Sequence, residues 1–292
     1  MKRLSGLFSG PKTSFQILSD LHLDHDSQYL SFHIPATAPY LILAGNIGRL
    51  LDYEAYLSFF IRRCNLYERV FLVLGSLEFH SISIASGFEL AAKLQAEDRL
   101  KGKLVILNRT RYEVPDTNVT ILGCTLWSQI PESAEAAVLK KIPEFDMHTG
   151  IRQWGVAAHN AAHETDLAWL KQEVQSSSTF AGTNASSSAS PSNYFVVSSF
   201  APNLREALAP WQVDSPWSSA YGTELLSGND WNGVRKWFCG STGRSVEFKQ
   251  YGVKVVSNER GCVGEEVTGV LSDGLSEKDK KGVFDVTRVV RV

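Results

Sequence analysis

Cysteine is scarce and scattered in this 292-residue chain: Cys64, Cys124, Cys239 and Cys262 make no Cys-x-x-Cys pair. A zinc knuckle and a dithiol redox motif are therefore excluded, and the four thiols read as buried small hydrophobes. No apolar run approaches the ~20 residues that a membrane span needs. Residues 1–11 carry basic charge without the apolar stretch of a secretory signal, so the expected location is cytoplasmic. The sequons at Asn108, Asn118 and Asn184 are then expected to be idle. Neither sign of charge dominates: 29 Lys and Arg face 31 Asp and Glu, a formal net charge of -2. Without a basic face or a polybasic segment, neither nucleic acid nor a membrane surface is an expected partner. Also missing are a glycine-rich phosphate loop, a Gly-x-Ser-x-Gly elbow and a dinucleotide fingerprint.

What is present is a large apolar reserve, 43% of residues with 11% aromatic, enough for a sizeable core in a single domain over 1–292. Apolar runs at 15–18, 40–44, 69–74 and 194–197 read as buried strands, each followed by a glycine or serine. Helical spacing predicts helices over 51–63, 82–101 and 151–174. This alternation marks a sheet covered on both faces. The runs at 104–107, 112–114 and 119–124 lie too close together for intervening helices and are expected to pair as an antiparallel or mixed section. Two further strands, 245–249 and 253–256, complete the sheet. The aromatic-bearing excursion 126–149, with Pro131 and Pro143, reads as a lid beside a site. A Ser-rich stretch over about 176–193 reads as a flexible loop, and the charged tail over about 270–292 has no catalytic role assigned. His159 and His163 are four apart on the third helix, but Asn160 stands where the zinc-protease pattern needs Glu. They are expected to be partly exposed histidines on a packed helix.

The first strand opens onto Ser19-Asp20-Leu21-His22. Two residues apart in an extended chain, Asp20 and His22 lie on one side, beyond a strand end, where a carboxylate and an imidazole can share a metal. Such a pair is more often an ordinary helix cap or turn, so alone it decides little. With four later loops in view, residues 14–260 resemble the calcineurin-like metallophosphoesterase superfamily, in a fungal-type form. Ser19-Asp20-Leu21-His22 fits its Asp-x-His motif; Gly45-Asn46 stands for Gly-Asp, and Gly75-Ser76-Leu77-Glu78-Phe79 for Gly-Asn-His-Glu-Phe. Val197-Ser198-Ser199-Phe200-Ala201-Pro202 replaces Val-Thr-His-His-Ala-Pro, and Phe238-Cys239-Gly240-Ser241-Thr242-Gly243 resembles a Phe-Gly-His-Thr-His segment without its histidines. The resemblance implies an α/β (α+β sandwich) fold: two mixed β-sheets packed face to face with flanking helices.

It also implies a pair of divalent metals, whose ligands fall on Asp20, His22, Asn46, Ser76, Ser199, Ser241 and Gly243; only the first two keep the expected type. Leu77 replaces the family's histidine near the leaving group. Bringing bound water from a pKa of 15.7 to about 7 is worth roughly 12 kcal/mol, which two retained ligands cannot supply. The expectation is a protein with no metal and no cofactor, whose old cleft binds a small organic molecule. Conversion without hydrolysis, by cyclisation, rearrangement or acid–base chemistry, would rest on Asp20 and His22. Asn46, Ser76, Glu78, His80, Ser199, Phe200 and Ser241 are expected to line that cleft. Two alternatives stand beside it: a non-catalytic scaffold that binds a protein partner, with Trp211, Trp217 and Trp231 as candidate contacts, and a residual metal-dependent phosphoester hydrolase.

Overall fold

Two β-sheets face each other across a layer of Phe15, Ile17, Ile42, Phe71, Ile121, Phe195 and Phe238, all fully buried. A computed structural model of the chain describes residues 13–180, 193–227, 230–261 and 282–292. The first sheet is built on β1 (Ser14–Leu18), β2 (Tyr40–Ala44) and β3 (Arg69–Val73), each half-buried at its first residue and buried at the rest. Such runs, apolar on both faces, suit parallel strands covered on both sides, and β1, β2 and β3 pair in parallel. The second sheet holds β5 (Thr110–Glu113), β6 (Val119–Gly123), β7 (Asn193–Val197), β8 (Val234–Cys239), β9 (Val246–Gln250) and β10 (Val253–Ser257). Its order is β5-β6-β7-β8-β10-β9, parallel in the middle and antiparallel at both edges.

Helices α1 (Tyr53–Leu66) and α2 (Ile84–Ala96) cover the outer face of the first sheet, where Phe59, Phe60 and Leu94 meet Leu41, Leu43 and Leu72. Ser83 starts α2 by accepting from the Ser86 N–H at 3.1 Å. The long helix α4 (Val156–Phe180) covers the second sheet, with Leu170 and Val174 against Leu122, Val196 and Trp237. The result is a four-layer sandwich, helix, sheet, sheet, helix.

The structure differs from the sequence reading at several places. Strand β4 (Leu104–Ile106) pairs in parallel with β3 and closes the first sheet, while β5 and β6 pair antiparallel in the second. The short link 107–109, with Arg109 in a left-handed conformation, thus carries the chain from one sheet to the other. Helix α4 begins at Val156 rather than 151, because Gln153 takes a positive φ of 57°. The excursion 126–149 contains a helix, α3 (Glu132–Lys141). The tail contributes β11 (Val289–Arg291), which pairs antiparallel with β1 at the sheet edge. Cys64, Cys124 and Cys239 are buried; Cys262 and most of the Ser-rich stretch lie outside the described residues. Trp231 is buried, Trp217 half-buried and Trp211 81% exposed.

The carboxyl ends of the central strands are stitched together across the two sheets. Past β1 and β2, the Asp20 N–H donates to the Gly45 carbonyl at 3.0 Å and His22 N–H to Asn46 at 3.1 Å. Ser19 N–H reaches Asn258 after β10, and Thr125 Oγ1 reaches the Leu74 carbonyl after β3 at 2.8 Å. These loops form one surface, and the candidate site lies on it.

Candidate functional site at the strand ends

Asp20, Asn46, Ser199 and Ser241 come from four different strand ends and meet in one hydrogen-bonded network. The Asn46 side-chain amide donates to Asp20 Oδ1 at 2.9 Å and to Ser241 Oγ at 3.1 Å. Its carbonyl oxygen accepts the Leu77 N–H at 3.1 Å. The backbone N–H of Ser241 donates to Asp20 Oδ2 at 3.0 Å, and the Ser199 and Ser241 hydroxyls lie 3.2 Å apart. The network is tight: a Cβ on Gly45 or on Gly240 would run into Ser199 Oγ or Asp20 Oδ2. Asp20, His22, Asn46 and Ser241 all hold left-handed backbone, φ 51°, 47°, 55° and 65°. Non-glycine residues avoid this region, and four together at one set of strand ends is concentrated strain.

The other expected residues are placed less uniformly. His22 is half-buried beside Asp20, and its charge favours the ionised carboxylate. Burial outweighs that help and the bonds from Asn46 and Ser241, and raises the Asp20 carboxyl above its ordinary range. His80 is half-buried, with its imidazole lowered by burial; Asp24 pulls the other way, while His22 and Arg49 add to the lowering. Ser76 is buried and hydrogen-bonds Glu144. Glu78 does not line a cleft: it is fully buried behind one. It accepts from the N–H groups of Asn46, Ile47, Gly48 and Gly75 and from the Tyr56 hydroxyl, bolting the β2 and β3 loops together. Burial still pushes its carboxyl up to about 7. Phe200 is buried as well, against Trp127 and His159.

Two carboxyl groups at this site fall outside every motif. Glu259, after β10, accepts from Thr242 N–H and Oγ1 and from Gly243 N–H, so it holds the loop that carries Ser241. Burial and then the neighbouring Asp20 keep its carboxyl well above the usual range. Glu144, from the 126–149 excursion, is buried beside Ser76 and raised by burial. Neither had a signal in the sequence beyond its charge.

Helix α4 fixes the excursion in place. Its Asp166 accepts the Leu126 N–H at 2.8 Å and pairs with Arg109 at 2.8 Å; His163 meets the Trp127 carbonyl. His159 Nε2 lies 2.9 Å from Ser128 Oγ, and Asn160 takes both the N–H and the carbonyl of Ile130. Residues on one face of the helix thus grip residues 126–130. This corrects the expectation of partly exposed histidines: His159 and His163 are 1% and 3% exposed. An open groove of about 470 Å³ is lined by Asp24, Arg49, Asp52 and Tyr53 among others; none of the residues expected to line the cleft is in its wall.

The architecture has a close counterpart among solved structures. The phosphopantetheinyl hydrolase of Mycobacterium tuberculosis superposes with a TM-score of 0.57 and 14% identity, over 86% of this chain and 90% of that one. The chain has a metallophosphoesterase-like fold. A dimetal phosphatase from Danio rerio aligns over 86% of the chain and 88% of its own, at a TM-score of 0.46 and 12% identity. In sequence, an uncharacterized protein of Acanthamoeba polyphaga mimivirus is 26% identical over 142 residues, 44% of this chain. That match spans 50% of the viral protein. No protein-family model matches.

A metallophosphoesterase-like fold raises the question of whether these residues could hold a pair of divalent metals. Among the described residues, no group of three or more His, Cys, Asp or Glu side chains is placed to share an ion. The position resembling the bridging carboxylate presents an N–H donor, from Asn46, to its neighbours. A cation there would meet the positive end of an amide dipole rather than a lone pair. Among the described residues, no helix is long and apolar enough to cross a membrane.

Proposed function

We propose that this chain is a metal-independent, fungal-type member of the calcineurin-like metallophosphoesterase superfamily, and that it binds a small organic molecule without hydrolysing phosphoesters. The observation that carries this reading is the closed network of Asp20, Asn46, Ser199 and Ser241, in which side chains at the family's ligand positions satisfy one another. Donors and acceptors are matched inside the protein, so no dication is needed to balance them. The groove walled by Asp24, Arg49, Asp52 and Tyr53 has the size of a small-molecule site, typically ~300 to 1,000 Å³. Its walls carry Asp24, Asp52 and Arg49, so its occupant is a polar organic molecule rather than a phosphoester held by two metals.

Elemental analysis of the purified chain tests the reading, together with a manganese titration against p-nitrophenyl phosphate. The expected outcome is no stoichiometric transition metal and no manganese-dependent nitrophenolate release above an Asp20→Ala control. Two metal equivalents per chain, or turnover abolished by Asp20→Ala, would sink it. A second reading, a scaffold for a protein partner in the cytoplasm, is favoured by one observation: Trp211, on a one-turn helix, is 81% exposed. Trp211→Ala would then abolish a pull-down that Asp20→Ala leaves intact.

A further inference from the structure

Strand β8 carries an irregularity that the strand-end site does not use. Tyr194 of β7 pairs with Val234 and Phe195 with Lys236, so Arg235 is an extra residue with nothing opposite it. Such a bulge re-aims the side chains that follow it. In a regular strand residues three apart face opposite ways, yet Val234 and Trp237 pack in the same cluster under α4. Lys236 therefore falls on the other face with Phe238, and its Nζ lies 4.5 Å from the centroid of the Phe195 ring. It is half-buried there. On its far side β10 sets Lys254 opposite Lys236 in register. Lys254 has a counterion, Glu247 at 3.0 Å, and Glu247 also takes Arg288 at 3.1 Å. Among the described residues, no carboxylate pairs with Lys236. The face of Phe195 attracts an ammonium, but weakly beside the water it displaces. Burial first, and the charge of Lys254 second, lower the Lys236 amine below the ordinary lysine range. No other charged group among the described residues moves it.

We propose that Lys236 is a carbonyl-capturing residue, which takes small aldehydes as imines ahead of the other lysines of the chain. A partly desolvated lysine beside a second cation is a general way to make an amine nucleophilic near neutral pH. Its Nζ lone pair adds to the carbonyl carbon and the C–N bond forms. The two amine protons then leave with the aldehyde oxygen as water, and the bond becomes double; nothing is oxidised or reduced. The aldehyde is small because the amine stands between β7 and β10 with a ring beneath it. Lys236 lies within β8 and Ser241 beyond its end, so this proposal goes beyond the metal-free reading above and stands or falls separately from it.

Treatment of the full chain with limiting acetaldehyde and sodium cyanoborohydride at pH 7, followed by peptide mass spectrometry, tests the proposal. Cyanoborohydride traps each imine as an ethylamine, so the adducts record which lysines captured the aldehyde. Lys236 should carry at least threefold more adduct than any other lysine. That lead should shrink at pH 10, where ordinary lysines approach their own pKa of about 10.4. Lys254→Gln removes the neighbouring charge from a half-buried surface position and should reduce the lead at least twofold at pH 7. Adduct that merely follows exposure, with Lys236 no faster than the surface lysines, would overturn the proposal. So would a lead that is unchanged in Lys254→Gln or undiminished at pH 10.

Discussion

Asn46 differs from an aspartate by an NH₂ in place of one oxygen, and that difference organises the site. As an amide it donates to Asp20 at 2.9 Å and to Ser241 at 3.1 Å. As a carboxylate it would set a second negative charge against Asp20 and leave Ser241 without its donor, in a place where burial already raises the Asp20 carboxyl. Asn46→Asp should therefore destabilise the fold by about 2 to 4 kcal/mol at neutral pH. Urea unfolding checks this, and a variant as stable as the parent would show that the network is not what holds these loops. Glu78 carries a similar argument. Its carboxylate accepts five bonds from two loop segments and a tyrosine. Glu78→Ala would leave buried backbone N–H groups unpaired and should cost at least about 3 kcal/mol, to the point of insoluble expression.

At the scale of elements, helix α4 is the brace of the site. Asn160, His159, His163 and Asp166 hold residues 126–130, and Thr125 in turn accepts the Ser199 N–H at 3.1 Å. A change on α4 is thus felt at the strand ends without touching them. Asp166→Ala removes the partner of the Leu126 N–H and of Arg109, and should cost about 2 to 4 kcal/mol. Hydrogen exchange supplies the specific readout: protection at Leu126 should fall more than protection in β2 or β3. Uniform loss of protection across the chain would show that Asp166 braces nothing in particular. The sequence carried part of this arrangement. Helical spacing located α4, but which side chain meets which carbonyl was not legible. Histidines four apart look alike whether they bind a metal, face water or clamp a loop, because spacing reports a shared face and not what covers it.

At the scale of the whole molecule, legibility followed burial. Strands β1, β2, β3 and β7 stand out because parallel strands covered on both faces need unbroken apolar runs. Strands β4 and β11, three residues each, were unreadable in topology. Their partners are set by distant residues, as when Asn258 bonds the Ile17 carbonyl and the Asp285 backbone. The site followed the same division: motif positions brought Asp20, Asn46, Ser199 and Ser241 together, while Glu144 and Glu259 arrived from outside any motif. Those buried groups also set how stability varies with pH. Glu78 is raised to about 7 from 4.5, so its stabilisation is complete below 4.5 and is lost as pH rises through 7. Asp20, Glu144, Asp166 and Glu259 are raised as well and act in the same direction. His159 is lowered to about 3 from 6.5, so its contribution is complete above 6.5 and is lost as pH falls toward 3; His80 and His163 share that sign. Below pH 4.5 the histidines dominate, above 6.5 the carboxyls do, and between them the two oppose each other. Thermal unfolding should therefore show maximal stability between about pH 4.5 and 6.5. His159→Phe should flatten the acid limb and leave the alkaline limb in place. A melting temperature that climbs steadily to pH 8 would mean that the buried carboxyls are not held protonated by the fold.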